Sequence, residues 1–328
     1  MFNEIALTPQ VFDQASNPDV DKWLDYLYEL GRGLDSRTTA SPIITADLYD
    51  GTWSEVARRM LSGINDSRIR DRVQRILTRI RHLAVPRPAE LESWPDNEQA
   101  WASEVIASHR AEPFSRILLT DLLDSSFDKQ STPCYSLHDL TDNTFWEGIQ
   151  SQQSVPMEIQ TQVDLLRPLC VHAHFISLKM PYARGCSDDE TIFLCELIKS
   201  AFDRPQGFSS VEIDLHVDSS IGGKPSSNDY QNNLFHNLKC CFNSYLLSGS
   251  RFNCFLWPHF TDRLLVAGFI KDGKRYPRWG VSFSHIARPR DNISNTSWSL
   301  IDPRTLAEYY EQVDPNSPDI LQHQTFAF

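Results

Sequence analysis

The strongest constraint on the fold lies in the second half of the chain, where short apolar runs alternate with capped amphipathic stretches. VDLLRPLCVHA has helical periodicity, and HFISLKM has the continuous apolar character of a buried strand. SDDETIFLCELIKSAF reads as a helix opened by Ser187, with Glu190 as its capping-box partner. VEIDLHVD is a strand, DYQNNLFHNLKCCFNSYLL a helix and RFNCFLW a strand. DRLLVAGFI and RWGVSFSH then flank KDGK, where Asp272-Gly273 marks a tight hairpin. A closing helix begins with Pro303 at its first position after Asp302. This order predicts an α/β fold, a mixed sheet covered by helices, with strands around Ile176, Ile213, Phe255, Leu265 and Val281.

The first half carries a different pattern. Asn17, Pro18 and Asp19 form a helix start, and Val20, Trp23, Leu24, Leu27 and Leu30 make one apolar stripe ended by Gly31. A second helix opens at Thr52 with Glu55 as box partner, burying Trp53, Val56, Met60 and Leu61. A third runs from about Asp66 to Ala84 and is stopped by Pro86 and Pro88; a fourth covers AWASEVIASHR. The expectation is a mostly helical N-terminal region over 1–130 and an α/β domain over 131–328. The polar, turn-rich stretch DSSFDKQSTP lies near the boundary.

No apolar run approaches the roughly 18 residues of a membrane span. The start MFNEIALTPQVFD has neither the basic nor the apolar region of a signal peptide. Seven cysteines without a C-x-x-C pair fit reduced thiols acting as small apolar groups, and a cytoplasmic location is expected. The net charge of −12 argues against indiscriminate nucleic-acid binding and leaves room for a local basic patch.

Such a patch exists. Between Arg58 and Arg81 stand eight arginines, no lysine and two acids, Asp66 and Asp71. Arg68, Arg72, Arg75 and Arg79 recur at helical spacing, away from the stripe of Ile69, Val73, Ile76 and Ile80. Guanidinium groups grip phosphate or carboxylate bidentately, which suits a nucleic acid or an acidic protein partner. The alternative is a solvated face paired with the acidic remainder of the chain.

Period two places Glu212, Asp214, His216 and Asp218 on one face of their strand. Carboxylates and an imidazole in that pattern suit a divalent metal in a nuclease, with Asp214, His216 and Asp218 as ligands. The reading preferred here is an edge strand with one wet face. Three same-face residues are spread too far along a straight strand to share one ion, so no metal is expected. His172 and His174 share one side of a segment without a third ligand and read as structural. Gly222-Gly223-Lys224 lacks phosphate-loop spacing, and neither G-x-S-x-G nor H-E-x-x-H occurs.

An apolar strand ending in Met180-Pro181-Tyr182, then Trp257-Pro258-His259-Phe260-Thr261-Asp262-Arg263-Leu264-Leu265-Val266, then Gly280-Val281-Ser282-Phe283-Ser284-His285, carry a resemblance. Over about half its length the chain resembles a divergent phospholipase D-like domain. Such domains occur at the C-termini of MIT-domain proteins and in orphan bacterial proteins, and the resemblance implies a setting in antiviral defence. Met180 replaces the aspartate of the family's Asp-Pro-Tyr, and Thr261 stands where its His-Asp-Arg-Tyr has histidine. Active members need H-x-K-x4-D, and none of the ten histidines here has lysine two residues later. The implied site is therefore a remnant around His259, Arg263 and His285. The expectation is a binding or assembly component without cofactor, against the rival of a metal-dependent nuclease or other phosphodiesterase.

Overall fold

The structure, a computed structural model, describes residues 2–14, 17–32, 43–48, 52–87, 97–121, 133–147, 149, 152–186, 188–205, 208, 210–220, 224, 226–246, 250–286 and 294–328. The chain divides into two compact units, Met1–Ser151 with Pro205–Phe208, and Gln152–Arg204 with Ser209–Phe328.

The first unit contains the expected helices and, in addition, a parallel sheet that the expectation of a mostly helical region lacks. Its elements are β1 (Asn3–Leu7), α1 (Val20–Arg32), β2 (Ile43–Asp47), α2 (Thr52–Leu61), α3 (Ser67–Leu83), β3 (Ala84–Pro86), α4 (Glu98–Ala111), β4 (Arg116–Leu119), β5 (Cys134–Ser136) and α5 (Asn143–Trp146). The strand order is β3-β2-β1-β4-β5, all parallel. One face of the sheet packs Ile5 and Leu7 against α1, α2 and α3; the other packs Ala6, Ala46 and Ile117 against Trp101 and Val105 of α4. This doubly wound arrangement reverses its winding between β1 and β4.

Local chemistry explains the helix boundaries. Asp66 caps α3, accepting from the N–H groups of Arg68 (2.7 Å) and Ile69 (3.4 Å), and Asn97 caps α4 through Ala100 at 2.9 Å. Asn17 does not serve α1 as expected. The helix opens at Val20, and the buried Asn17 amide donates to the Val11 carbonyl at 2.9 Å. The division of the chain also falls later than 130/131. β5 continues the parallel ladder beyond that point by pairing with β4, which binds it to the first unit.

The second unit contains β6 (Gln152–Pro156), α6 (Ile159–His172), β7 (Phe175–Met180), α7 (Asp189–Phe202), β8 (Glu212–Asp218), α8 (Asn228–Asn243), β9 (Arg251–Trp257), β10 (Arg263–Lys271), β11 (Lys274–Phe283), β12 (Asn295–Leu300), α9 (Pro303–Glu311) and β13 (Gln322–Ala327). They form one eight-stranded mixed sheet, β13-β9-β8-β7-β10-β11-β12-β6. β7, β8 and β9 run parallel, and the remaining pairings are antiparallel. All five expected strand segments lie in this sheet. Asp272 and Gly273 take positive φ of 52° and 71°, the left-handed geometry that lets β10 fold onto β11. α9 covers one face, where Leu306 and Val313 pack on Phe175, Leu264 and Val266. Among the described residues no helix is long and apolar enough to cross a membrane.

Two expectations fail in this sheet. β8 is an interior strand between β7 and β9, so Asp214, His216 and Asp218 are buried instead of lying on a wet edge. The thiols are not all reduced either, because Cys186 and Cys241 are joined in a disulfide. At the start of α7, Ser187 lies outside the described residues, Asp188 is the N-cap, and Glu190 pairs with Arg263.

Candidate functional sites

Parallel strands expose backbone amides and loops at their carboxyl ends, which is where α/β sheets gather ligand-binding side chains. In the second unit the ends of β8 and β9 bring together Asp218, Ser220 and His259. Ser220 donates through its backbone N–H to Asp218 Oδ1 (2.6 Å) and through its hydroxyl to Asp218 Oδ2 (3.1 Å). His259 Nδ1 lies 3.3 Å from Ser220 Oγ and 3.5 Å from Asp218 Oδ2. Serine and aspartate thus face the same ring nitrogen. The Ser220 hydroxyl proton is already committed to Asp218, so both neighbours offer Nδ1 an acceptor oxygen. A relay that activates a serine needs the carboxylate and the hydroxyl on opposite nitrogens, and these three residues do not provide it. The His259 side chain is 53% exposed, so its outer edge meets solvent.

The cations nearby are engaged within the chain. Arg263 donates from Nε to Glu190 Oε1 at 2.6 Å and from Nη1 to the Ser284 carbonyl at 3.1 Å, and its guanidinium lies 4.8 Å from the Tyr182 ring centre. Arg184 reaches Tyr230 Oη at 2.7 Å and the Ser220 carbonyl at 3.4 Å. Lys179 is buried on β7 beside His216; its ammonium donates to Gln312 Oε1 at 3.3 Å and lies 4.9 Å from the Phe260 ring centre. Burial lowers the Lys179 pKa, partly opposed by Asp262. His285 has an exposed side chain and is held through its backbone: its N–H donates to Thr296 Oγ1 at 3.0 Å. Of the three expected residues, Arg263 therefore stands by the strand segment that leads to His285, and His259 is fixed to Asp218.

Asp214, His216 and Asp218, the ligands of the metal alternative, are each engaged by partners of their own. Asp214 accepts from Asn253 at 2.9 Å and pairs with Arg275, which also donates to Glu212 at 2.8 Å. Burial alone lowers the Arg275 pKa, but the Asp214 hydrogen bond and charge outweigh it, and the guanidinium is held more firmly protonated than usual. His216 Nδ1 accepts from Trp257 Nε1 at 2.9 Å, and the ring stacks on Phe255. Burial pushes its pKa down to about 3, so it is neutral at pH 7. Among the described residues no three His, Cys, Asp or Glu side chains are grouped to hold a metal ion. His174 Nδ1 accepts from Ile270 N–H at 3.3 Å, a structural tie. Gly222 and Gly223 lie outside the described residues.

In the first unit α3 presents the arginines along one flank of its apolar stripe, beside α1. Arg72 pairs with Asp21 (2.9 Å) and Asp25 (2.6 Å), and Arg79 covers the Tyr28 ring at 4.2 Å. Arg68 and Arg75 remain exposed; Arg75 Nε donates to the Asp71 carbonyl at 3.3 Å. Arg72, Arg75 and Arg79 line a groove of about 920 Å³ with Leu24, Tyr28 and Ile76. Arg58 and Arg81 border a smaller hollow at the carboxyl ends of β2 and β3, opposite Asp47 and Glu55. At the winding reversal itself, Thr8-Pro9-Gln10 follows β1 where dinucleotide-binding sheets carry a glycine-rich turn.

Sequence reasoning missed Glu190, Ser220 and Lys179. Glu190 has capping-box spacing, Ser220 sits in a polar loop and Lys179 in an apolar run, so no local signal sets them apart. The chain matches no protein-family model and no curated protein. Among solved structures it is similar to TrmBL2, an archaeal chromatin protein with a novel mode of DNA binding, at a TM-score of 0.27 and 10% identity, over 54% of this chain and 56% of that one. It is also similar to polyphosphate kinase from Porphyromonas gingivalis, at a TM-score of 0.27 and 11% identity, over 90% of this chain and 48% of that one. The chain spans about half the length of these two proteins, and at such scores neither likeness carries an argument about fold or activity.

Proposed function

We propose that the protein is a binding or assembly component that recognises a phosphate-rich partner, nucleic acid in particular, through the arginine face of α3. The observation that carries this reading is where exposed positive charge stands. In the second unit Arg263 is paired with Glu190, and Lys179 and Arg184 donate to neutral acceptors within the chain, so each of the three is already engaged in place of a phosphoryl oxygen. On α3, Arg68 and Arg75 are exposed on a helix fixed by the buried Val73, Ile76, Leu77 and Ile80. The resemblance to degenerate phospholipase D-like domains supports binding without turnover. A place in an antiviral defence complex, with a protein partner, rests on that resemblance alone.

Fluorescence anisotropy with labelled duplex DNA, RNA and an acidic peptide tests the reading. Arg68→Glu with Arg75→Glu should weaken nucleic-acid binding across all sequences. The slope of log affinity against log salt should fall by about 0.9 for each phosphate that the variant no longer neutralises. Unchanged affinity in the double variant would refute the arginine face. Phosphodiesterase turnover abolished by His259→Ala would refute the non-catalytic part.

A further inference from the structure

Among the described residues, accessible thiol chemistry gathers in one place. Burial pushes the Cys170 and Cys195 thiols up to about 12 and Cys254 higher still, and it raises Cys134 as well, which leaves all four protonated. Cys186 and Cys240 are exposed, and Cys186 is bridged to the buried Cys241 with the Cα atoms 5.2 Å apart. Cys240, adjacent to the bridge, is a free thiol with Sγ 3.6 Å from His236 Nε2. The bridge is thus reachable from solvent on its Cys186 side and shielded on its Cys241 side.

Its position links it to the Asp218–Ser220–His259 cluster. Cys186 lies in the segment 181–186 that follows β7, which also carries Tyr182 and Arg184. Arg184 fastens that segment to Tyr230 in the first turn of α8 and to the Ser220 carbonyl, while the disulfide fastens it near the other end of α8. Ser220 in turn contacts Asp218 and His259. Opening the bridge leaves the segment tied by Arg184 to Tyr230 and Ser220, by Tyr182 N–H to Glu190 (3.0 Å), and by Arg184 N–H to Asp188 (3.0 Å).

We propose that Cys186–Cys241 is a thiol–disulfide exchange site that latches the segment 181–186 beside the Asp218–Ser220–His259 cluster. This inference is independent of the arginine face. A dithiol reductant supplies the two electrons. One of its thiolates attacks Cys186 Sγ, breaking the bridge and releasing Cys241 as a thiolate that takes up a proton. The second thiol of the reductant then attacks the mixed disulfide, closing its own ring and releasing the Cys186 thiol. Strands β7 and β8, joined to each other and to β10 and β9 by continuous ladders, keep their pairing throughout.

The full chain is equilibrated in buffers of graded dithiothreitol redox ratio, then followed by maleimide labelling and hydrogen exchange under native conditions. Cys240 should label in every buffer, and Cys186 should label only after reduction. Amide exchange over 182–186 and 219–220 should quicken by about tenfold or more on reduction, while 175–180 and 212–218 stay protected. Cys241→Ser should reproduce the reduced pattern in every buffer; should that variant fail to fold, Cys186→Ser at the exposed sulfur should show the quickened amide exchange over the same segment in every buffer. A bridge that opens only on denaturation, exchange that rises throughout the second unit, or Cys186 that labels without reductant would each overturn the proposal.

Discussion

β1, β2 and β4 of the first unit are five, five and four residues long and buried at every position, whereas β11 and β12 of the second run to ten and six residues and mix buried with exposed positions. Charge is handled differently as well. The first unit seals an ion pair, Glu4 with Arg87 at 2.7 Å, with each side chain 1% exposed. Arg87 also donates to Ser108 Oγ at 2.9 Å and lies 3.7 Å from the Phe114 ring centre. The second unit spreads its polar groups over β7, β8 and β9, from Asp214 with Arg275 through His216 to Asp218 with His259. A sheet covered on both faces admits charge only where it is fully paired, while a sheet with an open end can grade it from buried to wet.

The largest effects should come from breaking a buried pair in each unit. Glu4→Gln leaves a buried guanidinium without its carboxylate and should cost roughly 3–5 kcal/mol, read as a shifted urea midpoint. Asp214→Asn should cost less, because the Arg275 side chain is 16% exposed and keeps Glu212 as a partner. A larger destabilisation by Asp214→Asn than by Glu4→Gln would break the comparison between a sealed and a graded sheet.

The same contrast explains what was legible in the sequence. HFISLKM and RFNCFLW announce themselves because capped helices separate them, and the Asp272-Gly273 turn fixes the hairpin. NEIAL, IITAD and RILL are too short to show a period and carry no alternation, since both faces of their strands are covered. The candidate sites follow suit. The arginine row was visible because helical spacing repeats it, but its ties to Asp21, Asp25 and Tyr28 join residues about fifty positions apart, as do Lys179 with Gln312 and Arg263 with Glu190 at still longer range. Period two did place Asp214, His216 and Asp218 on one face; it could not tell that the face was covered.

A middle-sized effect concerns pH. His216 is fully buried with its pKa lowered to about 3 against an ordinary 6.5, so the unfolded chain takes up a proton that the folded chain refuses. Between those two values the unfolded state binds more protons, and stability falls as pH falls, by up to about 1.4 kcal/mol per pH unit from this group. Above pH 6.5 the contribution is complete and flat. His216→Gln should flatten the difference in urea midpoint between pH 5 and pH 7 relative to the parent chain. An identical pH dependence in the two proteins would mean that His216 is protonated in the folded state and that the β8 face is wetter than its burial indicates.

The smallest expected effect is at Arg72, and it separates exposed charge from sealed charge within the first unit. Arg72 bridges Asp21 and Asp25 from a side chain that is 37% exposed, and the two aspartates are 59% and 90% exposed. Water screens both ion pairs, and flexible side chains lose freedom to make them, so such pairs contribute about 0–1 kcal/mol. Arg72→Ala should therefore move the urea midpoint far less than Glu4→Gln, although both remove a charge that pairs across the same unit. It should also change nucleic-acid affinity less than Arg75→Ala does, because Asp21 and Asp25 already neutralise the Arg72 guanidinium while the exposed Arg75 retains its charge for a phosphate. High salt should shrink the Arg72 effect further and leave the Glu4 effect nearly intact, since a pair only 1% exposed lies outside the reach of counterions. Arg72→Ala that costs as much as Glu4→Gln would make the α1–α3 ion pairs a structural tie, and the groove beside them would then be held by charge instead of by the apolar stripe beneath.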